Sequence, residues 1–74
     1  MMGVGERIRK IREELGLSVQ DFAQRIGIPF ARVEEIESGK IYPCEATLVY
    51  ISKLFNVDYR WLKEGHSQRE LVGK

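Results

Sequence analysis

A chain of 74 residues allows one small domain, and 43% hydrophobic against 31% charged residues argue against general disorder. Twelve Lys and Arg against eleven Asp and Glu leave a formal net charge of +1, which neither requires nor excludes nucleic acid, so the placement of charge matters more than its sum. The single cysteine excludes an internal disulfide framework and a Cys-based zinc site, no apolar run nears the roughly 20 residues of a membrane helix, and the start lacks the basic-then-apolar order of a signal peptide, so a cytoplasmic location is expected.

Apolar spacing is helical almost throughout. Ile8, Ile11 and Leu15 form one stripe, with Arg7, Arg9, Lys10, Glu13 and Glu14 around the other sides, and Gly16 stands where a left-handed C-cap would sit. A first helix is therefore predicted from about Glu6 to Leu15, after a flexible N-terminus of residues 1–5. Gly3-Val4-Gly5 is no phosphate loop, because no strand precedes it. Ser18-Val19-Gln20-Asp21 is a capping-box variant that opens a second helix running to Ile26, with Phe22, Ala23 and Ile26 on its buried face and Gly27 as its breaker. Pro29 suits the first turn of a third helix, where its missing donor is not needed; that helix buries Val33 and Ile36 and ends near Ser38, before Gly39.

Lys40-Ile41-Tyr42-Pro43 is a loop. A fourth helix starts near Cys44 and turns Leu48, Ile51, Leu54 and Phe55 inward, with Asn56 as its left-handed cap. Asp58 caps a last short helix through Trp61 and Leu62, ended by Gly65. Residues 66–74 are a polar tail apart from Leu71 and Val72. The expected class is all-α, with five helices.

Phe22-Ala23…Ile26-Gly27-Ile28, followed by Val33 and Ile36, carries the functional argument. Ala23 is small where two helix axes approach, Gly27 tolerates a positive φ in the turn, and the aliphatic set fills the wedge. Such packing leaves one face of the third helix free to enter a major groove; it also suits an ordinary helical hairpin.

The ordered set Glu6-Arg7-Ile8-Arg9…Arg12-Glu13…Leu15-Gly16-Leu17-Ser18, Phe22-Ala23…Ile26-Gly27-Ile28, Val33…Ile36-Glu37-Ser38-Gly39-Lys40, Tyr42-Pro43…Thr47-Leu48 and Trp61-Leu62…Gly65 resembles the Cro/C1-type (lambda repressor-like, XRE) helix-turn-helix family from Glu6 to Gly65. The resemblance implies a compact five-helix domain over residues 6–65 that binds a double-stranded DNA operator as a transcriptional regulator, commonly a repressor, often as a homodimer, without enzymatic activity, cofactor or metal. It places Ser18, Val19 and Gln20 against a DNA phosphate, Phe30, Ala31, Arg32, Glu34 and Glu35 toward base edges, and Lys40, Ile41 and Tyr42 along the backbone. It also pairs Arg12 with Glu37 as a structural ion pair.

Two departures stand out. The family often has Gln where this chain has Val19, leaving only a backbone amide for the phosphate. The third helix shows two carboxylates, Glu34 and Glu35, beside a lone cation, Arg32, although phosphate neutralisation supplies most non-specific affinity. Glu35 suits a cytosine amino group, and Phe30 and Ala31 suit thymine methyls. An exposed Phe30 beside acids also suits a protein partner, and some relatives of this fold bind a cytoskeletal protein, so a protein-interaction module is the alternative. Cys44 reads as a passive small residue at a helix entry, His66 as a solvated tail residue and Trp61 as an anchor for the last helix. One His and one Cys assemble no catalytic or metal constellation.

Overall fold

In the computed structural model the described residues are 3–65, and His66, Leu71 and Val72 of the tail lie outside them. The regular elements are all helices: α1 (Val4–Glu14), α2 (Val19–Ile26), α3 (Phe30–Glu37), α4 (Glu45–Leu54) and α5 (Tyr59–Glu64). None of them is long and apolar enough to cross a membrane. Internal contacts divide the chain into two units, residues 1–42 and 43–74.

In the first unit, α1 begins two residues before the predicted Glu6. Gly3 is the N-cap, with extended backbone, and its N–H donates to Glu6 Oε1 at 3.0 Å. Glu6 thus sits in the first turn, reaching back to satisfy an amide that has no helical partner. Gly16 closes α1: Leu17 N–H donates to Arg12 O at 3.1 Å and Gly16 N–H to Glu13 O at 3.0 Å, the paired bonds of a Schellman motif. Two expectations for α1 change. Leu15 is 47% exposed, because it is the cap residue, past the last turn that faces the core. Arg7 is buried rather than set on an outer face.

Ser18 caps α2 through Oγ, which accepts from Asp21 N–H at 3.0 Å. Pro29 is the N-cap of α3 rather than its first helical residue. Its φ of −63° and ψ of 147° are extended, and its carbonyl accepts from Arg32 and Val33 at 3.0 and 3.1 Å. The buried apolar residues of this unit are Ile8, Ile11, Phe22, Ala23, Ile26, Val33 and Ile36.

In the second unit, Cys44 is the N-cap of α4, and Leu48, Ile51 and Ser52 are its buried residues. Ser52 Oγ donates to Val49 O at 2.8 Å, which pairs a hydroxyl that burial would otherwise strand. Leu54 does not face inward: it is 44% exposed, and Phe55 is half-buried. At about 100° per residue, Leu54 falls well off the arc centred on Leu48, Ile51 and Ser52, while Phe55 falls nearer to it. Asn56 takes φ 59°, and Val57 N–H donates to Ser52 O at 2.9 Å, so an Asn closes this helix as glycines close the others. Asp58 caps α5, its Oδ1 accepting from Arg60 N–H at 3.0 Å. Val57, just before α5, and Leu62, within it, are buried.

Candidate nucleic-acid interface

The turn between α2 and α3 is built on Ala23 and Gly27. Gly27, at φ 75°, donates its N–H to Ala23 O at 2.8 Å, and Ile28 N–H reaches the same carbonyl at 3.2 Å. Ala23 is buried, and any larger side chain would have to displace its neighbours. Val33 and Ile36 anchor α3, which leaves Phe30, Ala31, Arg32 and Glu34 exposed and Glu35 half-buried.

An open groove of 510 Å³ runs along this face, lined by Val19, Ala31, Glu34, Glu35 and Lys40 together with Arg9, Arg12, Glu37 and Ser38. It joins one residue of the α2 amino terminus, three of the predicted base-reading residues and one of the loop residues. Ser18 and Gln20 are exposed beside it without lining it. Phe30, 47% exposed, and Arg32 stand outside it as well. Ile41 and Tyr42 line a second groove of 660 Å³, with the start of α1 as its other wall.

Charge on this unit is largely compensated within the chain. Arg12 Nε lies 2.8 Å from Glu37 Oε2, its Nη2 donates to Glu37 Oε1 at 3.1 Å, and its Nη1 donates to Leu17 O at 2.9 Å. The hydrogen bonds that Arg12 donates to Glu37 hold the Arg12 pKa above its ordinary value, against the opposing effect of burial. Arg9 pairs with Glu13 at 3.0 Å, Lys10 with Glu14 at 3.6 Å, and Arg32 with Glu35 at 3.9 Å. Of the charged residues that line the groove, Lys40 and Glu34 have no side-chain partner among the described residues.

Sequence reasoning missed Gly5. A Cβ there would lie 2.1 Å from Ile36 O, a backbone atom, so the start of α1 passes directly against the end of α3. In the second unit, the exposed Cys44 thiol lies 3.2 Å from Thr47 Oγ1, and hydrogen bonds from Thr47 lower its pKa. Glu45 accepts from the Tyr59 hydroxyl and lies 3.3 Å from Lys63 Nζ, a cluster that sequence spacing alone did not join.

Two short helices locked through a tight glycine turn, with the outer side of the second left open, define a helix-turn-helix domain. A family profile described as a helix-turn-helix domain matches residues 5–68, and the chain belongs to this family, in its Cro/C1 type. The fold is similar to that of the P22 c2 repressor, solved in complex with a synthetic operator in the presence of Tl+, with a TM-score of 0.79, 23% identity and coverage of 88% of this chain and 98% of that one. It is also similar to a chain of a SinR protein/SinI protein complex, with a TM-score of 0.74, 28% identity and coverage of 85% of this chain. The present chain spans 63% of that second chain. No curated protein matches significantly.

Proposed function

We propose that the protein is a sequence-specific DNA-binding transcriptional regulator that acts as a repressor, reading the major groove with α3. The observation that carries this reading is the open groove in which Val19 at the start of α2 meets Ala31, Glu34 and Glu35 on the outer side of α3. The amides at Ser18, Val19 and Gln20 open α2, where a helix amino terminus favours a phosphate. Phe30 and Ala31 supply apolar contact for thymine methyls, the carboxylates accept from base amino groups, and Arg32 can donate. Lys40 supplies an uncompensated cation for a phosphate, with Ile41 and Tyr42 beside the backbone. The P22 c2 repressor, solved on an operator, and the family membership support the same conclusion.

The proposed working form is a cytoplasmic homodimer whose two copies of α3 lie about 34 Å apart on a palindromic operator. Tyr42, 63% exposed in the loop after α3, is the candidate for the subunit contact. Occupancy of the operator would then block polymerase.

Phe30 favours a second reading, as a protein-interaction module, because it exposes an aromatic ring outside the groove beside acids. The SinR/SinI neighbour was solved in a protein complex. A salt-titrated binding assay against genomic fragments, including the gene's own promoter, separates the two readings. Retention of selected fragments with affinity falling as salt rises supports the regulator. No retention at low salt, with Phe30→Ala abolishing a protein pull-down from a chain that still folds, replaces it with the second reading.

A further inference from the structure

We infer that Glu34, rather than Glu35, is the side chain through which α3 selects a base, and that the selected base is cytosine. This rests on the DNA-binding function proposed above and deepens it.

The two carboxylates of α3 differ in their surroundings. Glu35 is half-buried, and its Oε1 lies 3.9 Å from Arg32 Nε. Its own carbonyl is also engaged, accepting from Ser38 Oγ at 3.1 Å, Lys40 N–H at 2.9 Å and Ile41 N–H at 3.2 Å, which ties this residue to the end of the helix. Glu34 is exposed, lines the groove with Val19 and Ala31, and has no side-chain partner among the described residues. Ala31, one turn earlier, is too small to cover it.

A carboxylate offers lone pairs and no donor. Against guanine O6 and N7, or thymine O4, it meets only acceptors, and both sides lose water without gaining a bond. Adenine offers its N6 amino group next to the N7 acceptor, so one attraction is offset by one repulsion. Cytosine offers its N4 amino group with no acceptor on its own major-groove edge, the guanine O6 across the pair being already engaged by that amino group. An unpaired carboxylate in that groove is therefore a filter that admits cytosine and rejects the other bases. Glu35, compensated by Arg32, carries a weaker filter. Glutamine at the same position would invert the preference, because its amide pairs with adenine N6 and N7 together.

The test is selection of duplexes from a random library with the wild-type protein, Glu34→Gln, Glu34→Ala and Glu35→Gln, each checked for an unchanged helical spectrum and melting. Affinities are then measured for all four base pairs at each enriched position. The wild type should enrich one cytosine per half-site, with discrimination of about tenfold or more. Glu34→Gln should move that position toward adenine, Glu34→Ala should flatten it, and Glu35→Gln should keep the cytosine. If both Glu34 variants retain the wild-type motif, or if Glu35→Gln loses the cytosine instead, the assignment to Glu34 is overturned while DNA reading stands. A wild-type protein that enriches no sequence overturns both.

Discussion

Arg12 grips Glu37 with two guanidinium nitrogens and spends a third on the carbonyl of Leu17. One side chain therefore fixes the end of α1, the loop into α2 and the end of α3. The pair is nearly dry, at 12% and 9% side-chain exposure, so solvent screens it far less than the surface pairs of α1.

Removing one partner should accordingly strand the other. Glu37→Ala or Arg12→Ala is expected to lower unfolding free energy by about 3 kcal/mol. Arg12→Lys should recover only part of this, since an ammonium cannot make the forked contact. Urea unfolding of the three variants measures the effect. A loss within the scatter of a surface pair such as Arg9–Glu13 would show that the pair contributes nothing special.

Gly5 makes a prediction of opposite sign to helix propensity. In an exposed helix, Gly→Ala gains up to about 1 kcal/mol. Here the added methyl would meet Ile36 O at 2.1 Å, and a backbone carbonyl cannot swing aside. Gly5→Ala should therefore destabilise by about 1–3 kcal/mol, the range for overpacking. Gly3→Ser, at a position with nothing within 4 Å of its Cβ, should be neutral or slightly stabilising. Thermal melting compares them, and a Gly5→Ala protein that melts at or above the wild type would contradict the close approach.

The contrast between these residues explains what the sequence made legible. Caps are local, so Ser18, Gly27, Asn56 and Asp58 announce themselves through chemistry within a few residues of where they act. Gly5 carries no such mark, because the atom that excludes a side chain there is far away along the chain. Leu15 misled for a related reason. Periodicity marks an apolar stripe but not the turn at which the opposing surface ends, and Leu15 lies past that turn, whereas Leu54 falls off the arc that its helix buries. At the candidate interface, the exposed side of α3 followed from the burial of Val33 and Ile36. Helical spacing also pairs Arg32 with Glu35, three residues on, rather than with Glu34, two residues on, and the geometry agrees; what sequence could not show is that Glu34 lines the groove without a partner.

In the second unit, Glu45, Tyr59 and Lys63 link α4 to α5 at the surface. The Tyr59 hydroxyl, and after it Lys63, holds the Glu45 pKa below the ordinary carboxylate value, and Glu45 in turn raises that of Tyr59. For Glu45, a folded value below the unfolded one means that the contact's contribution is present above the ordinary carboxylate range and is lost as pH falls through the depressed value. For Tyr59, a raised value means that the contribution is present below the ordinary tyrosine range and fades as pH rises through the raised value. NMR titration of both side chains should show the two displacements. Glu45→Gln should bring Tyr59 back toward its ordinary value, and an unmoved Tyr59 would show that another group perturbs it.

Lys40 sets the electrostatic component of the proposed DNA binding. Arg9, Lys10, Arg12 and Arg32 each have a carboxylate of the chain within 4.0 Å, so a phosphate has to compete with an existing partner for them. Lys40 has no such competitor among the described residues and lines the groove. Each phosphate neutralised contributes about 0.9 to the slope of log affinity against log salt. The slope per subunit should therefore be shallow, and Lys40→Ala should reduce it by about 1 while weakening binding to all sequences alike. Glu35→Gln should act in the other direction on non-specific DNA, because it removes a negative charge and releases Arg32 for a phosphate. Measured by fluorescence anisotropy on a random-sequence duplex, Lys40→Ala should lose affinity and Glu35→Gln should gain it. A Lys40→Ala protein with an unchanged slope would place the loop after α3 away from the DNA backbone, whatever α3 itself does.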